Sequence, residues 1–326
     1  MRKYKFRMNA IPLKSARPPS IFHCSFNTVG QAARQWSFVL ICPILLLLNL
    51  SAQNSVTGNF EAILIQAYQA AQKNDQKVAI KLAADAIRLE PKNPKGYYFR
   101  GRLFYDSARF KEAIKDFDQL LKLDPRNGEI YQRRGECHFR LGGVRESIVD
   151  FDRFIELVPQ REPHHWQRGI SYYLAGEFTK GRKQFELHQE VNASDVENAV
   201  WHFCCFARDV RDLKKAQAEL IDIPGDSRVP LMEVQALFEG KSTPEKVLKA
   251  AATGFPSEDQ LKQRKFYAHL YLGMWHEVRD ETDKALKHLK LASTTFGFEH
   301  YMGAVAKVYY GILKKGPIRE VVEDIP

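Results

Sequence analysis

YYFRGRLFYDSARFKEAIKDFDQLLKLDP, Tyr97 to Pro125, carries two apolar stripes in succession. Gly101, Phe104, Phe110, Ala113, Ile114, Phe117, Leu120 and Leu121 fall at the i, i+3, i+4 and i+7 intervals of a helix face. The stripe breaks at Asp106 to Arg109 and Pro125 closes the second run, so the stretch predicts two antiparallel helices. Gly101 and Ala113 lack bulk where the helices meet, and Phe104, Phe110 and Phe117 fill the space beside that contact. The pattern then recurs: Gly101 and Gly135, Phe117 and Phe151, and Pro125 and Pro159 are each separated by 34 residues (135−101, 151−117, 159−125). A unit of that length cannot bury its own apolar face, so copies must stack, and the stack presents an extended surface rather than a closed pocket.

The order of residue types resembles the tetratricopeptide repeat. Tyr97, Gly101, Phe104, Phe110, Ala113, Phe117 and Pro125 match its pattern, with Leu120 where a small residue is usual. One period on stand Tyr131, Gly135, Val144, Ser147, Phe151 and Pro159; a second step gives Gly169, Tyr172, Phe178, Gly181 and Phe185. One period back, Ala67, Ala79, Ala83, Ala86 and Pro91 keep the small and terminal positions without the aromatics. Four contiguous repeats are expected over residues 60–193, degenerate helical repeats over 194–257, and a strong repeat over 258–296, where Gly273 and Ala285 keep the 12-residue interval of Gly101 and Ala113. Residues 297–316 read as a capping helix and 317–326 as a tail. The resemblance implies an all-α solenoid, a right-handed superhelix of antiparallel helix pairs.

Charge is unevenly placed. The net charge is +10, and residues 1–53 contribute seven basic residues and no Asp or Glu, leaving a nearly neutral body of 42 basic and 39 acidic residues. That body has no footprint for nucleic acid. The leader ends in WSFVLICPILLLLNL, Trp36 to Leu50, which as a helix spans roughly 22 Å, short of a ~30 Å hydrocarbon core. A cleaved export signal or an uncleaved signal anchor is expected, placing the body in the periplasm or tethering it to the membrane. Cys42 lies inside the apolar run, so no lipoprotein acylation site is visible. Cys137, Cys204 and Cys205 beyond the leader make neither a disulfide framework nor a zinc site.

No phosphate-binding glycine loop, HExxH or nucleophile elbow occurs in the chain. The DFD pairs, Asp116 with Asp118 and Asp150 with Asp152, read as solvated faces flanking a core Phe. His269 and His276 stand about 10 Å apart along one helix at ~1.5 Å per residue, which does not suit a metal. Neither a metal, a cofactor nor catalysis is expected.

Binding is the remaining class. In the family resembled here, the first helix of each repeat lines a concave groove through the positions one, five and eight residues after the pattern aromatic. Carried onto this chain, those are Tyr98, Arg102 and Tyr105; Gln132, Glu136 and Phe139; and Trp166, Ile170 and Tyr173. Aromatic and Arg side chains dominate interface energetics, although Tyr105, Phe139 and Tyr173 also suit packing between repeats. The repeats around Gly101 and Gly135, with HLYLGMWHEVRDETDKALKHLKLA (His269 to Ala292), also resemble the NlpI-type periplasmic repeat proteins. That resemblance implies a non-catalytic adaptor whose partners are an envelope protease or a cell-wall hydrolase. The alternative is an envelope-assembly factor acting by self-association, as a homodimer for instance.

Overall fold

The computed structural model describes residues 59–320, within one compact unit. The basic leader and its apolar run lie outside the described residues. Residues 59–72 form α1, followed by α2 (Gln76–Leu89), α3 (Pro94–Asp106), α4 (Phe110–Leu123), α5 (Gly128–Arg140) and α6 (Val144–Leu157). A 3₁₀ turn, Pro159–His164, leads into α7 (Trp166–Ala175), α8 (Phe178–Val191), α9 (Val196–Val210) and α10 (Leu213–Ala218). The chain finishes with α11 (Leu231–Phe238), α12 (Pro244–Ala251), α13 (Glu258–Glu277), α14 (Thr282–Ser293) and α15 (Tyr301–Leu313). Consecutive helices pack as pairs, and no strand occurs among the described residues. The architecture is an all-α solenoid.

Local chemistry starts these helices where the sequence changes. Asn93 accepts from the backbone N–H of Lys95, with Pro94 in the first turn, where its missing N–H costs nothing. Ser257 and Gln260 close a reciprocal capping box ahead of α13.

Within a pair the helices touch through glycine. A Cβ built on Gly101 would lie 2.8 Å from the Phe117 ring, one on Gly135 2.7 Å from Phe151, and one on Gly169 2.7 Å from Phe185. Gly273 repeats the contact with Leu289 at 2.7 Å. The same sixteen-residue offset (117−101, 289−273) therefore sets the interhelical approach in all four pairs.

A second ladder runs beside the first and corrects the reading of the DFD pairs. Asp116 and Asp150 are only 3% and 2% exposed. Arg100 donates to Asp116 from Nε at 2.8 Å and Nη2 at 2.6 Å, and Arg134 grips Asp150 the same way at 2.9 and 2.6 Å. Arg134 also reaches Asp118 of the preceding repeat at 2.6 Å, and one period later Arg168 reaches Asp152 at 2.6 Å. Asp116 and Asp150 are thus desolvated and neutralised by an Arg, Asp118 and Asp152 keep 41% and 39% of their side-chain surface exposed while pairing with the next Arg, and each Arg after the first ties two repeats together.

The Gly135 contact gives a direct test. Ala would gain about 1 kcal/mol of helix propensity, so the clean probe is Gly135→Val, which drives two more carbons into a buried ring. Overpacking costs about 1–3 kcal/mol and lowers the thermal midpoint by about 2 °C or more; an unchanged midpoint by circular dichroism would contradict the close approach.

Candidate functional site

The first helices of the successive pairs are α1, α3, α5, α7 and α9, and the two halves of that row differ. The C-terminal half is covered by the chain itself. Tyr301 of α15 stacks on Phe139 of α5 with ring centroids 5.2 Å apart and meets Trp166 of α7 edge-on at 5.3 Å. Further along α15, Tyr309 lies edge-on to Tyr173 at 5.9 Å, with the two hydroxyl oxygens 3.2 Å apart. The terminal helix thus lies across the face of earlier repeats as well as against α14.

Four helices converge on one carboxylate. Glu277, the last residue of α13 and 2% exposed, accepts from the hydroxyl of Tyr173 in α7 and from the guanidinium of Arg208 in α9. Tyr309 of α15 donates to the same carboxylate at 3.0 Å. Arg208 also donates to the Glu277 carbonyl at 2.6 Å and to Asp280 at 2.8 Å. Burial, reinforced by the nearby carboxylate, raises both tyrosine hydroxyls well above their usual range, so they remain protonated donors.

Three of the nine groove positions expected from the sequence are therefore corrected. Phe139, Ile170 and Tyr173 are buried to the level of the core. Their surface is spent within the chain, because a strongly curved stack brings α13 and α15 back against α5, α7 and α9.

Gln132 and Glu136 form a polar seam between the halves. His165, the cap of α7, accepts the Arg168 backbone N–H on Nδ1 at 3.2 Å, so its other nitrogen, Nε2, is left to donate to Gln132 Oε1 at 2.6 Å. Gln132 Nε2 then donates to Gln167 Oε1 at 2.7 Å and Glu136 Oε1 at 3.0 Å, and Gln167 donates to Glu136 at 2.9 Å. Burial between Phe151 and Phe154 pushes the His165 imidazole down to about 3, which keeps it neutral.

Among the described residues, the N-terminal half keeps exposed surface. Tyr98, Arg102 and Tyr105 of α3 are half-buried, and Tyr68 of α1, one period before Arg102, is exposed. Arg102 has a single ion pair, with Asp106 at 3.9 Å, while Tyr105 donates to Glu136 and lies under the Arg133 guanidinium. Trp166 and Ile170 share a different environment, a pocket beside α15.

The histidines meet in a way the helix spacing did not reveal. His288 of α14 stands between His269 and His276, with ring centroids 5.0 and 5.4 Å away, and its Nδ1 is 2.8 Å from that of His269. One ring nitrogen must donate and the other accept. Burial pushes both groups down to about 4. Among the described residues no group of three or more His, Cys, Asp or Glu is placed to hold a metal, and no helix is long and apolar enough to cross a membrane.

Residues 94–127 match the tetratricopeptide repeat family, and the pairs on either side continue the same architecture. A tetratricopeptide repeat protein from Parabacteroides merdae superposes with a TM-score of 0.52 at 17% identity, covering 78% of this chain and 98% of that one. YrrB, described as a TPR protein with an unusual peptide-binding site, gives 0.46 at 19% identity over 53% of this chain and 93% of its own. MamA gives 0.43 at 19% identity over 49% and 91%. No curated protein matches the sequence. The fold is a tetratricopeptide-repeat solenoid.

Removing one partner of a buried ion pair strands the other charge, at about 3–5 kcal/mol. Glu277→Ala takes the acceptor from Tyr173 and Tyr309 and leaves Arg208 only the exposed Asp280 and the backbone carbonyl of position 277, so most of that cost should appear in urea denaturation, with loss of near-ultraviolet signal from the α15 tyrosines. A loss of about 1 kcal/mol or less would mean that the carboxylate behaves as a surface pair.

Proposed function

We propose that this chain is a non-catalytic interaction scaffold that takes a partner protein or peptide on the open N-terminal arc of its concave face. The observation that carries this reading is the contrast between the two halves. Phe139, Ile170 and Tyr173 are covered, whereas among the described residues Tyr68 of α1 is exposed and Tyr98, Arg102 and Tyr105 of α3 keep part of their surface free. Three amphipathic rings with few rotors and one Arg, loosely tied at 3.9 Å, are groups that bury large area at low entropic cost. Mixed charge over the body, 42 basic against 39 acidic residues, favours a protein partner over nucleic acid.

An envelope setting belongs to the same proposal and is supported by the basic, acid-free leader and the apolar run Trp36 to Leu50. In that setting the partner would be an envelope protease or a cell-wall hydrolase, as the resemblance to NlpI-type adaptors suggests.

A photo-crosslinking residue placed at Tyr98 should capture a discrete partner in envelope extracts. The same residue at Val149, 68% exposed on α6 and outside the groove, should not. Arg102→Glu should reduce the Tyr98 adduct about tenfold without changing the circular dichroism spectrum. Equal yields from both positions would refute the arc. A stable oligomer by light scattering, insensitive to both changes, would favour self-association instead.

A further inference from the structure

The pocket beside α15 is a cavity of about 300 Å³ between α7, α9, α13 and the start of α15. Trp166, Trp201 and Tyr267 form aromatic walls, and Asp195, Glu197 and Asn198 bring polar atoms from the first turn of α9.

Its charges do not balance. Arg228 donates to Glu197 at 2.6 Å, to Asp195 at 2.6 Å and to Asp226 at 2.5 and 2.9 Å, so one cation faces three carboxylates, of which Asp195 and Glu197 line the pocket. Burial holds His300 below its usual value, and His188 turns one nitrogen to the Pro163 carbonyl at 2.8 Å and the other to the Asn192 amide N–H at 3.4 Å. Burial, reinforced by Asp195 and Asp226, raises the Glu197 carboxyl to about 7 even though it accepts from the Tyr271 hydroxyl and from Arg228, so a cation bound beside it would favour its ionised form.

Two lining groups also lack a partner. The indole Nε1 of Trp201 and the carbonyl Oδ1 of Asn198 are buried without a hydrogen bond, and their residues are 2% and 3% exposed. Asn198 commits its nitrogen to the Phe185 carbonyl at 3.1 Å and to Gln189 at 2.9 Å, so its oxygen is the atom left to accept. Buried polar atoms are normally paired. A donor-rich cation would satisfy Oδ1 and the excess carboxylate charge together, and aromatic faces attract the same ligand through their quadrupoles.

We propose that this pocket binds an organic cation, a guanidinium or alkylammonium group on an apolar stem that carries a carbonyl-type acceptor for Trp201. Asp195, Glu197 and Asn198 receive the cationic head, and Trp166, Trp201 and Tyr267 enclose the stem. The volume, at the lower end for ligand sites, suits one such group and not a folded domain. The head can come from a free small amine or from a basic side chain of a peptide. Tyr98 and Arg102 do not line this pocket, so its failure would leave the open arc untouched.

Calorimetric titration of the full chain with agmatine, with acetyl-Ala-Arg-Ala-amide and with the neutral citrulline analogue of that peptide separates these cases. At least one guanidinium probe should bind saturably at one site, and citrulline should bind about tenfold more weakly or worse. Tighter binding of agmatine identifies a free amine as the ligand class, and tighter binding of the arginine peptide identifies a partner side chain. Glu197→Gln should weaken the better probe by about tenfold or more, and Trp201→Phe, which keeps the ring and removes the N–H, should weaken the arginine peptide, whose carbonyls can accept that N–H, by several-fold. Should Glu197→Gln fail to fold, Trp166→Leu at the half-buried wall replaces it, with the same direction expected. No saturable binding of either guanidinium probe, equal binding of the citrulline peptide, or affinity unchanged in the folded variants would overturn the proposal.

Discussion

The Glu277 carboxylate, sequestered from water, gathers Tyr173, Arg208 and Tyr309 from three other helices, and the long-range architecture depends on that convergence. A repeat stack is otherwise held by neighbour contacts alone, and such a stack can flex along its length. Here a contact spanning 104 residues of sequence ties the end of α13 to α7, and one spanning 136 ties α15 to the same tyrosine. Desolvating a carboxylate is costly unless every lone pair is met, which makes the arrangement close to all-or-none. Once it forms, the chain closes on itself and α15 becomes part of the core.

That closure divides a continuous surface into separate compartments. The face of α5, α7 and α9 that an open solenoid would offer to a partner is packed against Tyr301 and Tyr309. What remains is an arc over α1 and α3, separated from the covered half by the Gln132, Glu136, Gln167 and His165 seam, and a small acidic and aromatic pocket where α15 begins. Under the proposed function, a rigid scaffold with a short open arc would select partners by shape and by a few anchors, because less conformational freedom is lost on binding.

The local architecture was legible in the sequence because it is periodic. Gly101 and Phe117, repeated at Gly135 and Phe151, report a contact that any copy of the unit must make, and the structure makes it. The Arg ladder was equally periodic, since Arg100, Arg134 and Arg168 each precede the scaffold glycine. It was missed because Asp in DFD was weighed by its polarity alone and not by the partner one helix earlier. The covered half of the groove could not be read from spacing, since no period relates Phe139 to Tyr301 or Tyr173 to Glu277. One signal was present: Tyr301 to Leu313 contains a single charged residue, Lys307. A helix apolar on nearly every side is a buried helix, whereas a terminal cap needs a polar outer face.

The central claim is that α15 is a structural member of the concave face and not a frayed end. Native-state hydrogen exchange resolved by peptide mass spectrometry tests it most directly, because local and global opening separate by rate. Amides of Tyr301–Leu313 should exchange as slowly as those of Gly128–Arg140 and Val196–Val210, and Glu277→Ala should release the first group ahead of the other two. Fast exchange of Tyr301–Leu313 in the unaltered protein, while Gly128–Arg140 stays protected, would contradict the account.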